Sequence, residues 1–264
     1  MGVGACALTG INTMKKLTKI GVQLYTVRED MKKDFEGTLA KVASIGYQEV
    51  EFAGYYNRTP KQVRDLLDSN RLSAPASHIP LETLRKDIAG SIEAAKTIGL
   101  RYIICPWLDP AERRSLDDYK RHADFFNRTG EACQKAGLQF GYHNHDFEFT
   151  QLEGEMPYDV LLKGTDPKLV KMELDLYWIT RAGQDPLAYF ERQPGRFELV
   201  HVKDMARTPD RAPVEVGRGT IDFKTIFARA ERAGVKHFLV EQDEPKSGLD
   251  SIKESLEYLR RLEW

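Results

Sequence analysis

The chain has 264 residues, 41% of them apolar and 30% charged, with a formal net charge of −1. This apolar fraction is enough for a sizeable folded core, and the balanced charge disfavours a nucleic-acid partner, which would select a basic face. Cys6, Cys105 and Cys133 are too few and too scattered for a disulfide framework or a cysteine-based zinc site, and no apolar run is long enough to cross a membrane.

The first residues differ from the rest of the chain. Residues 1–10 are small and mostly apolar and precede the basic pair Lys15-Lys16, as at the end of a secretory signal, but no basic start or full hydrophobic stretch comes before them. We therefore predict that residues 1–17 are a disordered tail or a signal-peptide remnant and that residues 18–264 form one domain. The predicted location is cytoplasmic for the sequence as written, or periplasmic if this segment is a truncated signal.

From residue 18 onward, short strands alternate with amphipathic helices. The predicted strands are residues 20–25, 47–52, 72–78, 102–107, 138–145, 169–176, 197–204 and 237–243. The predicted helices are residues 34–46, 59–67, 84–98, 116–136, 158–163, 186–191, 223–233 and 249–262. Eight strand–helix units in a chain of this length predict a (β/α)8 barrel of parallel strands. A doubly wound open sheet is the alternative, but this sequence lacks the Gly-x-Gly-x-x-Gly motif that a dinucleotide-binding sheet has after its first strand.

The fifth predicted strand ends in His143-Asn144-His145. Alternation along this strand directs Phe140 and Tyr142 toward a layer of helices and directs both histidines toward the opposite, cavity side. Two imidazoles at the C-terminal end of a strand are suited to a metal or proton-transfer site. A pair of surface histidines in a loop is the alternative interpretation of this stretch.

The same alternation places many polar side chains at the C-terminal ends of the other strands, where barrels of this kind have their active sites. The predicted cavity-facing residues are Gln23, Tyr25, Glu49, Glu51, His78, Trp107, His143, His145, Glu173, Asp175, His201, Lys203, Glu241 and Asp243. Buried carboxylates are costly unless they are paired or bind a metal, and a mixture with imidazole suits Zn2+ or Mn2+ better than Ca2+. A network of ion pairs inside the barrel is the structural alternative.

The strand ends His143-Asn144-His145, Leu174-Asp175, His201-Val202-Lys203-Asp204 and Glu241-Gln242-Asp243, with residues 216–223, resemble the xylose isomerase-like barrel superfamily. Its members include sugar phosphate isomerases and epimerases, inosose dehydratase, ketose 3-epimerases and endonuclease IV. The resemblance implies one divalent ion held by Glu, Asp, His and Glu on strands five to eight.

Asp175, His201 and Glu241 match the last three of these ligands, and His143 stands at the position of the first glutamate. This replacement changes the charge of the site and departs from the two-glutamate proton exchange of ketose epimerases. Trp178 is a second departure, at a position where relatives often have histidine. The predicted ligands are therefore His143, Asp175, His201 and Glu241, and we expect Mn2+, Zn2+ or Co2+ before Mg2+ because two of them are imidazoles.

These features predict a metal-dependent isomerase or epimerase of a sugar or sugar phosphate, in which C–H deprotonation next to a carbonyl gives an enediolate. Glu241 or His145 would be the base, and Lys203 would stabilise the oxyanion. The predicted substrate contacts are Gln23, Tyr25, Glu51, His78, Trp107 and Asp204. The expected partner is a small carbohydrate, and the chain could form a homo-oligomer.

Three other functions remain open from the sequence. A keto-sugar or inosose dehydratase would begin with the same deprotonation and then eliminate water. A non-catalytic sugar-binding barrel would explain the histidine at position 143. A DNA-repair nuclease like endonuclease IV would need more His and Glu ligands than these positions supply.

Overall fold

Short strands of alternating pattern close into a barrel in the computed structural model, which describes residues 14–264. The barrel strands are β1 (Gly21–Gln23), β2 (Glu49–Phe52), β3 (Ser73–His78), β4 (Tyr102–Cys105), β5 (Gln139–His143), β6 (Val170–Asp175), β7 (Phe197–Val202) and β10 (His237–Val240). All neighbours are parallel, and β10 pairs with β1 to complete the ring. The predicted (β/α)8 barrel is confirmed. Two short strands, β8 (Asp204–Met205) and β9 (Pro213–Val214), form an antiparallel pair between β7 and β10.

Helices follow the strands and cover the outside of the barrel. They are α1 (Arg28–Lys33), α2 (Phe35–Ile45), α3 (Pro60–Ser69), α4 (Leu81–Lys86), α5 (Ile88–Ile98), α6 (Leu116–Lys135), α7 (Pro157–Gly164), α8 (Leu176–Arg181), α9 (Pro186–Arg192), α10 (Phe223–Ala228), α11 (Ala230–Ala233) and α12 (Gly248–Arg261). Within the described residues, no helix has the length and apolar character that a bilayer span needs.

The structure corrects several predicted boundaries. Several strands are shorter than predicted, because their C-terminal residues leave the sheet; Leu24–Val27, for example, form a 3-10 turn after β1. The predicted helix 84–98 is two helices, α4 and α5, because the Asp87 carboxylate accepts the Gly90 N–H and starts a new helix there. The short helices α1 and α8 were not predicted, since neither is long enough to show a helical period in the sequence.

Residues 1–13, which make up most of the predicted tail, lie outside the described residues. Near the end of the predicted tail, Lys15 exchanges two backbone hydrogen bonds with Trp264, at 2.8 and 3.1 Å, so this part of the segment packs against the last residue of the chain.

The core has two layers that the barrel wall separates. Phe126, Phe140 and Tyr142 pack in the layer between strands and helices, as alternation along β5 predicts. The second layer fills the inside of the barrel with Ala76, Tyr102, Ile104, Leu199 and Leu239.

Two glycines make room in the inner layer. A Cβ on Gly21 would lie 2.6 Å from Leu239 Cδ2, and one on Gly141 would lie 2.6 Å from Ile104 Cδ1. This apolar plug separates the polar side chains at the two ends of the barrel.

Candidate active site

A cavity of about 620 Å³ opens at the C-terminal ends of the strands. Tyr25, Trp107 and Trp178 form an aromatic part of its wall, and Tyr25 and Trp107 are each 42% exposed. The polar part of the wall consists of His78, His143, His145, Lys203, Glu241, Asp243, Glu244 and Arg28. Tyr25, His78 and Trp107 are therefore at the cavity, as the sequence predicted for substrate contacts.

The four predicted metal ligands converge beside this cavity. His143, Asp175, His201 and Glu241 are all buried, and each offers one atom within 4.8 Å of the others. His143 Nε2 is 3.4 Å from Asp175 Oδ2, and His201 Nδ1 is 2.9 Å from Glu241 Oε2. This combination of two imidazoles and two carboxylates is a donor set for a divalent ion such as Zn2+ or Mn2+.

His143 carries the clearest sign of a ligand. Its Nδ1 lies 3.2 Å from the Pro106 carbonyl oxygen, which can only accept, so Nδ1 carries the hydrogen and donates this hydrogen bond. The lone pair is then on Nε2, which is buried and has no hydrogen-bond partner among residues 14–264. A buried unpartnered nitrogen is costly in a structural role and is explained if it binds an ion.

Asp175 has two separate functions at the end of β6. Its Oδ1 accepts the N–H groups of Tyr177 and Trp178, at 2.9 and 2.8 Å, and so caps α8. Its Oδ2 points to the cluster, 3.4 Å from Lys203 Nζ. The Asp175 N–H donates to Asn144 Oδ1 at 3.0 Å, which joins the ends of β5 and β6.

Lys203 is a fixed cation among three carboxylates. Its Nζ is 2.6 Å from Asp243, 3.1 Å from Glu241 and 3.4 Å from Asp175. Burial alone would lower the pKa of Lys203, but the charges of Asp175, Glu241 and Asp243 outweigh burial and raise it. Burial and the charge of Glu241 raise the pKa of Asp243 to about 6.

His145 is held as a neutral imidazole at the cavity. Its ring packs against Phe147 and Trp178, with centroid distances of 5.5 and 5.4 Å, and the backbone N–H of His145 donates to Glu148 Oε2 at 2.8 Å. Burial, followed by the neighbouring His143 and Lys203, lowers the pKa of His145 well below its usual value. Its Nδ1 is buried without a partner in the described part of the chain. This arrangement provides a base next to the predicted ligands.

A second cluster lies beneath the cavity floor. His78, Glu51, Glu173 and His201 bring four side-chain atoms within 4.8 Å of one another. Gln23 donates to Glu51 Oε2 at 2.8 Å. Gln23 and Glu51 are fully buried and do not line the cavity, so the structure places these two predicted substrate contacts under the floor.

Asp204, another predicted substrate contact, is not at the cavity. Its carboxylate accepts the backbone N–H groups of Met205, Gly217, Gly219 and Ile221, at 2.8 to 3.1 Å. Three of these four hydrogen bonds come from the loop that follows β9. The structure therefore gives Asp204 the role of holding that loop instead of a position against substrate.

Three residues of the site were not assigned a role from the sequence. Glu173 was placed on the cavity side by alternation, but nothing in the sequence indicated the second cluster. Arg28 follows the 3-10 turn, where strand alternation gives no direction; it donates to the carbonyls of Tyr25 and Asp243 at 2.9 and 2.8 Å. Glu148 has no strand pattern either, although it supports His145.

The profile of the family described as xylose isomerase-like TIM barrel matches residues 39–262. Among curated proteins, the chain is similar to an inosose dehydratase of Lacticaseibacillus casei, with 24% identity over 252 residues that cover 81% of this chain and 84% of the relative.

Two solved structures are informative. A sugar phosphate isomerase/epimerase from Parabacteroides distasonis is 27% identical, with a TM-score of 0.80 over 97% of this chain and 98% of the other. The zinc-bound protein IolI has the same fold at 15% identity, with a TM-score of 0.73 over 90% of this chain and 95% of the other.

Proposed function

The chain belongs to the xylose isomerase-like TIM barrel family, and from this membership we propose that it is a metal-dependent dehydratase of an unphosphorylated polyhydroxy ketone. The observation that carries the proposal is the convergence of His143, Asp175, His201 and Glu241 beside a cavity whose wall also contains His145 and Lys203. The relatives named inosose dehydratase favour elimination of water over the isomerisation or epimerisation expected from the sequence.

The residues present fit a divalent ion. His143, Asp175, His201 and Glu241 would hold it, and the free Nε2 of His143 supports this assignment. When bound, such an ion polarises a carbonyl oxygen and makes the neighbouring C–H group more acidic. The imidazole and carboxylate donors favour Zn2+, Mn2+ or Co2+ over Mg2+.

His145 is the proposed base. Since it is neutral at pH 7, it can accept the proton from the carbon next to the ketone. The protonated ring can then give this proton to the hydroxyl group that leaves from the next carbon. One C–H bond and one C–O bond break, a carbon–carbon double bond forms, and water leaves with His145 restored.

Lys203 and the aromatic wall would orient the substrate. The Lys203 ammonium can donate to the oxygen that becomes negative during deprotonation, in a site shielded from water. Trp107 and Tyr25 offer exposed apolar faces at the cavity, against which the C–H face of a ring can pack. His78 lies at the floor and can accept or donate a hydrogen bond to a hydroxyl group.

The charges at the cavity support a substrate without phosphate. Its wall contains the two cations Arg28 and Lys203 and the three carboxylates Glu241, Asp243 and Glu244. Lys203 is already paired with carboxylates, and Arg28 donates to two backbone carbonyls. With the proposed ion counted, the carboxylates of Asp175, Glu241, Asp243 and Glu244 balance the positive charges, so a phosphate dianion would meet no net positive wall and no free bidentate donor.

Isomerisation or epimerisation of a sugar phosphate is the second candidate. It is favoured by the similarity to the Parabacteroides distasonis structure, which is named as such an enzyme. The first step would be the same, but the proton would return to carbon and no water would leave.

The test is to incubate metal-loaded protein in D2O with a panel of inososes and keto-sugars, with and without phosphate. We expect a product that has lost one water and absorbs as a conjugated ketone, from an unphosphorylated ketone only. A product of unchanged mass with deuterium on carbon would support the second candidate. Absence of both water loss and deuterium exchange across the panel would contradict both functions, and His145→Ala is the control for background reaction.

A further inference from the structure

The cluster beneath the cavity floor has its own set of ligand atoms. His201 Nε2 is 2.8 Å from Glu51 Oε2 and 3.3 Å from Glu173 Oε2. His78 Nε2 is 2.8 Å from Glu173 Oε2 and 3.5 Å from Glu51 Oε2. Two imidazole nitrogens and two carboxylate oxygens therefore alternate around a closed ring.

The nitrogen–oxygen edges of this ring have about the length expected in a tetrahedral zinc site. Ligand atoms about 2.0 to 2.1 Å from Zn2+ lie about 3.3 Å apart at tetrahedral angles. The four measured nitrogen–oxygen distances, 2.8 to 3.5 Å, bracket that separation. Small shifts of side chains that are already in contact would complete the coordination.

The charges of the cluster also call for a cation. Glu51 and Glu173 are fully buried, and no lysine or arginine in the described part of the chain forms an ion pair with either. Without a metal, only protons could balance them, either on His78 and His201 or on one of the carboxyl groups. A divalent ion would neutralise both carboxylates and leave the histidines neutral, which avoids a buried pair of imidazolium groups.

Two buried oxygens remain unpaired. The Oε1 atoms of Glu51 and Glu173 have no hydrogen-bond partner among the described residues, although each residue turns its Oε2 into the ring. Native structures rarely leave such atoms unsatisfied. A carboxylate that shifts to bind an ion through both oxygens uses these atoms as well.

We propose that Glu51, His78, Glu173 and His201 form a second divalent-metal site, suited to Zn2+, beneath the ion of the active site. His201 connects the two sites, because its Nε2 faces the lower ring and its Nδ1 faces Glu241 at 2.9 Å. A neutral His201 has one lone pair and would serve one ion at a time; holding both ions would require it to release its one N–H proton to solvent. The proposal is independent of the reaction, and a failed activity test would leave it unaffected.

The experiment is a crystal structure of the full chain equilibrated with Zn2+, with anomalous maps recorded on both sides of the zinc edge. A peak inside the ring of Glu51 and Glu173, with or without a second peak beside Glu241, is the expected result. A single peak beside Glu241 would overturn the proposal. The map shows the metal position directly and uses the unaltered chain, so the result does not depend on whether a variant folds.

Metal content in solution gives the second measurement. Glu173→Gln and His78→Gln should each lose one bound Zn2+ relative to the unaltered chain, whereas Glu49→Gln should keep the full content. Glu49 is the matched control, because like Glu173 it is a buried glutamate of a barrel strand that contacts a histidine, His237 at 3.0 Å, but at the opposite end of the barrel. Equal zinc content in the three variants and the unaltered chain would contradict a lower site.

Discussion

The two ends of the barrel contain the same types of polar residue, but these residues differ in their hydrogen-bond and ion-pair partners. At the N-terminal end, Glu49 accepts hydrogen bonds from Lys19 at 2.7 Å and His237 at 3.0 Å. Two residues further along β2, Glu51 lies at the C-terminal end among His78, His201 and a second carboxylate. The strand, the residue type and the burial are alike, so the difference lies in the partners.

At the N-terminal end, the buried Glu49 and the partly buried Glu198 each have donors of their own. Glu198 there accepts from Tyr102 at 2.6 Å and contacts Lys236 at 3.0 Å. At the C-terminal end, by contrast, His143 Nε2 and the Oε1 atoms of Glu51 and Glu173 have no partner in residues 14–264. Most buried polar groups that only stabilise a fold are satisfied, so the clustering of three unpartnered ligand atoms at the C-terminal end indicates a place for ligands.

The largest expected effect is at Asp175, whose Oδ2 faces the proposed ion. Asp175→Asn keeps an oxygen for the Tyr177 and Trp178 N–H groups but removes the negative charge. We expect kcat/KM to fall on the order of 10⁴-fold or more, with little change in the melting temperature.

Asp175→Ala provides the matching control for stability. It should lose activity to the same extent and also lose about 1 kcal/mol of stability with the helix cap. An insoluble Asp175→Asn variant would show that the carboxylate is structural, as at the N-terminal end.

The next effect separates the two histidines that end β5. His145→Ala should keep the metal and lower turnover by roughly 10²- to 10⁴-fold, because it removes the proposed base. His143→Ala should lower metal content and activity together, because Nε2 of that residue is the free ligand atom. Metal content and kcat measured on both variants test the assignment.

His237→Ala is the control from the opposite end of the barrel, and its turnover should be unchanged. If His145→Ala lost the ion and His143→Ala kept it, the predicted register of β5 would be wrong.

Strand alternation was sufficient to predict the barrel and to place the four predicted ligands on the cavity side, and the resemblance to the family singled these four out. His143, Asp175, His201 and Glu241 end strands whose apolar neighbours define the other face, so the sequence shows which side each occupies. The same rule placed Glu49 with Glu51, since both are on one face of β2. It could not tell that the apolar layer around Leu239 puts them at opposite ends of the barrel.

Positions beyond the strand ends could not be predicted in this way. Once the chain leaves the sheet, the period of two no longer applies, and direction depends on loop contacts. Asp204 illustrates this, because the sequence shows a carboxylate after β7 but not the four backbone N–H groups that surround it. Arg28 and Glu148 were missed for the same reason.

A smaller effect, on stability alone, is expected at Glu148. Burial raises the pKa of this carboxyl group to about 7, from an ordinary value of 4.5. The folded protein therefore binds this proton more tightly than the unfolded chain. The stability from this group is complete below about pH 4.5 and falls as pH rises through about 7, by about 3 kcal/mol in total.

Glu148→Gln should remove this dependence while keeping one oxygen for the Tyr142 hydroxyl group and losing the acceptor of the His145 backbone N–H. Urea unfolding at intervals from pH 4.5 to 8 should show a flatter profile for the variant, whose stability relative to the unaltered chain should rise toward pH 8. Parallel profiles for the two proteins would show that Glu148 titrates normally in the fold.

The smallest effect is at Glu49, and its sign is opposite. Burial alone would raise the pKa of Glu49, but hydrogen bonds from His237 and Lys19 outweigh burial and lower it. The folded state therefore favours the charged form, and its contribution to stability is present above the ordinary pKa and is lost as pH falls through the lowered value. Glu49→Gln should be less stable by about 1 kcal/mol at pH 7, because Lys19 is half exposed and its ion pair is partly screened. This difference in stability should shrink as the solution is acidified, whereas the difference between Glu148→Gln and the unaltered chain should grow toward alkaline pH.

Urea unfolding of both variants, with kcat/KM measured alongside, tests the contrast between the two ends of the barrel. A loss of turnover in Glu49→Gln would show that its end of the barrel also takes part in the reaction.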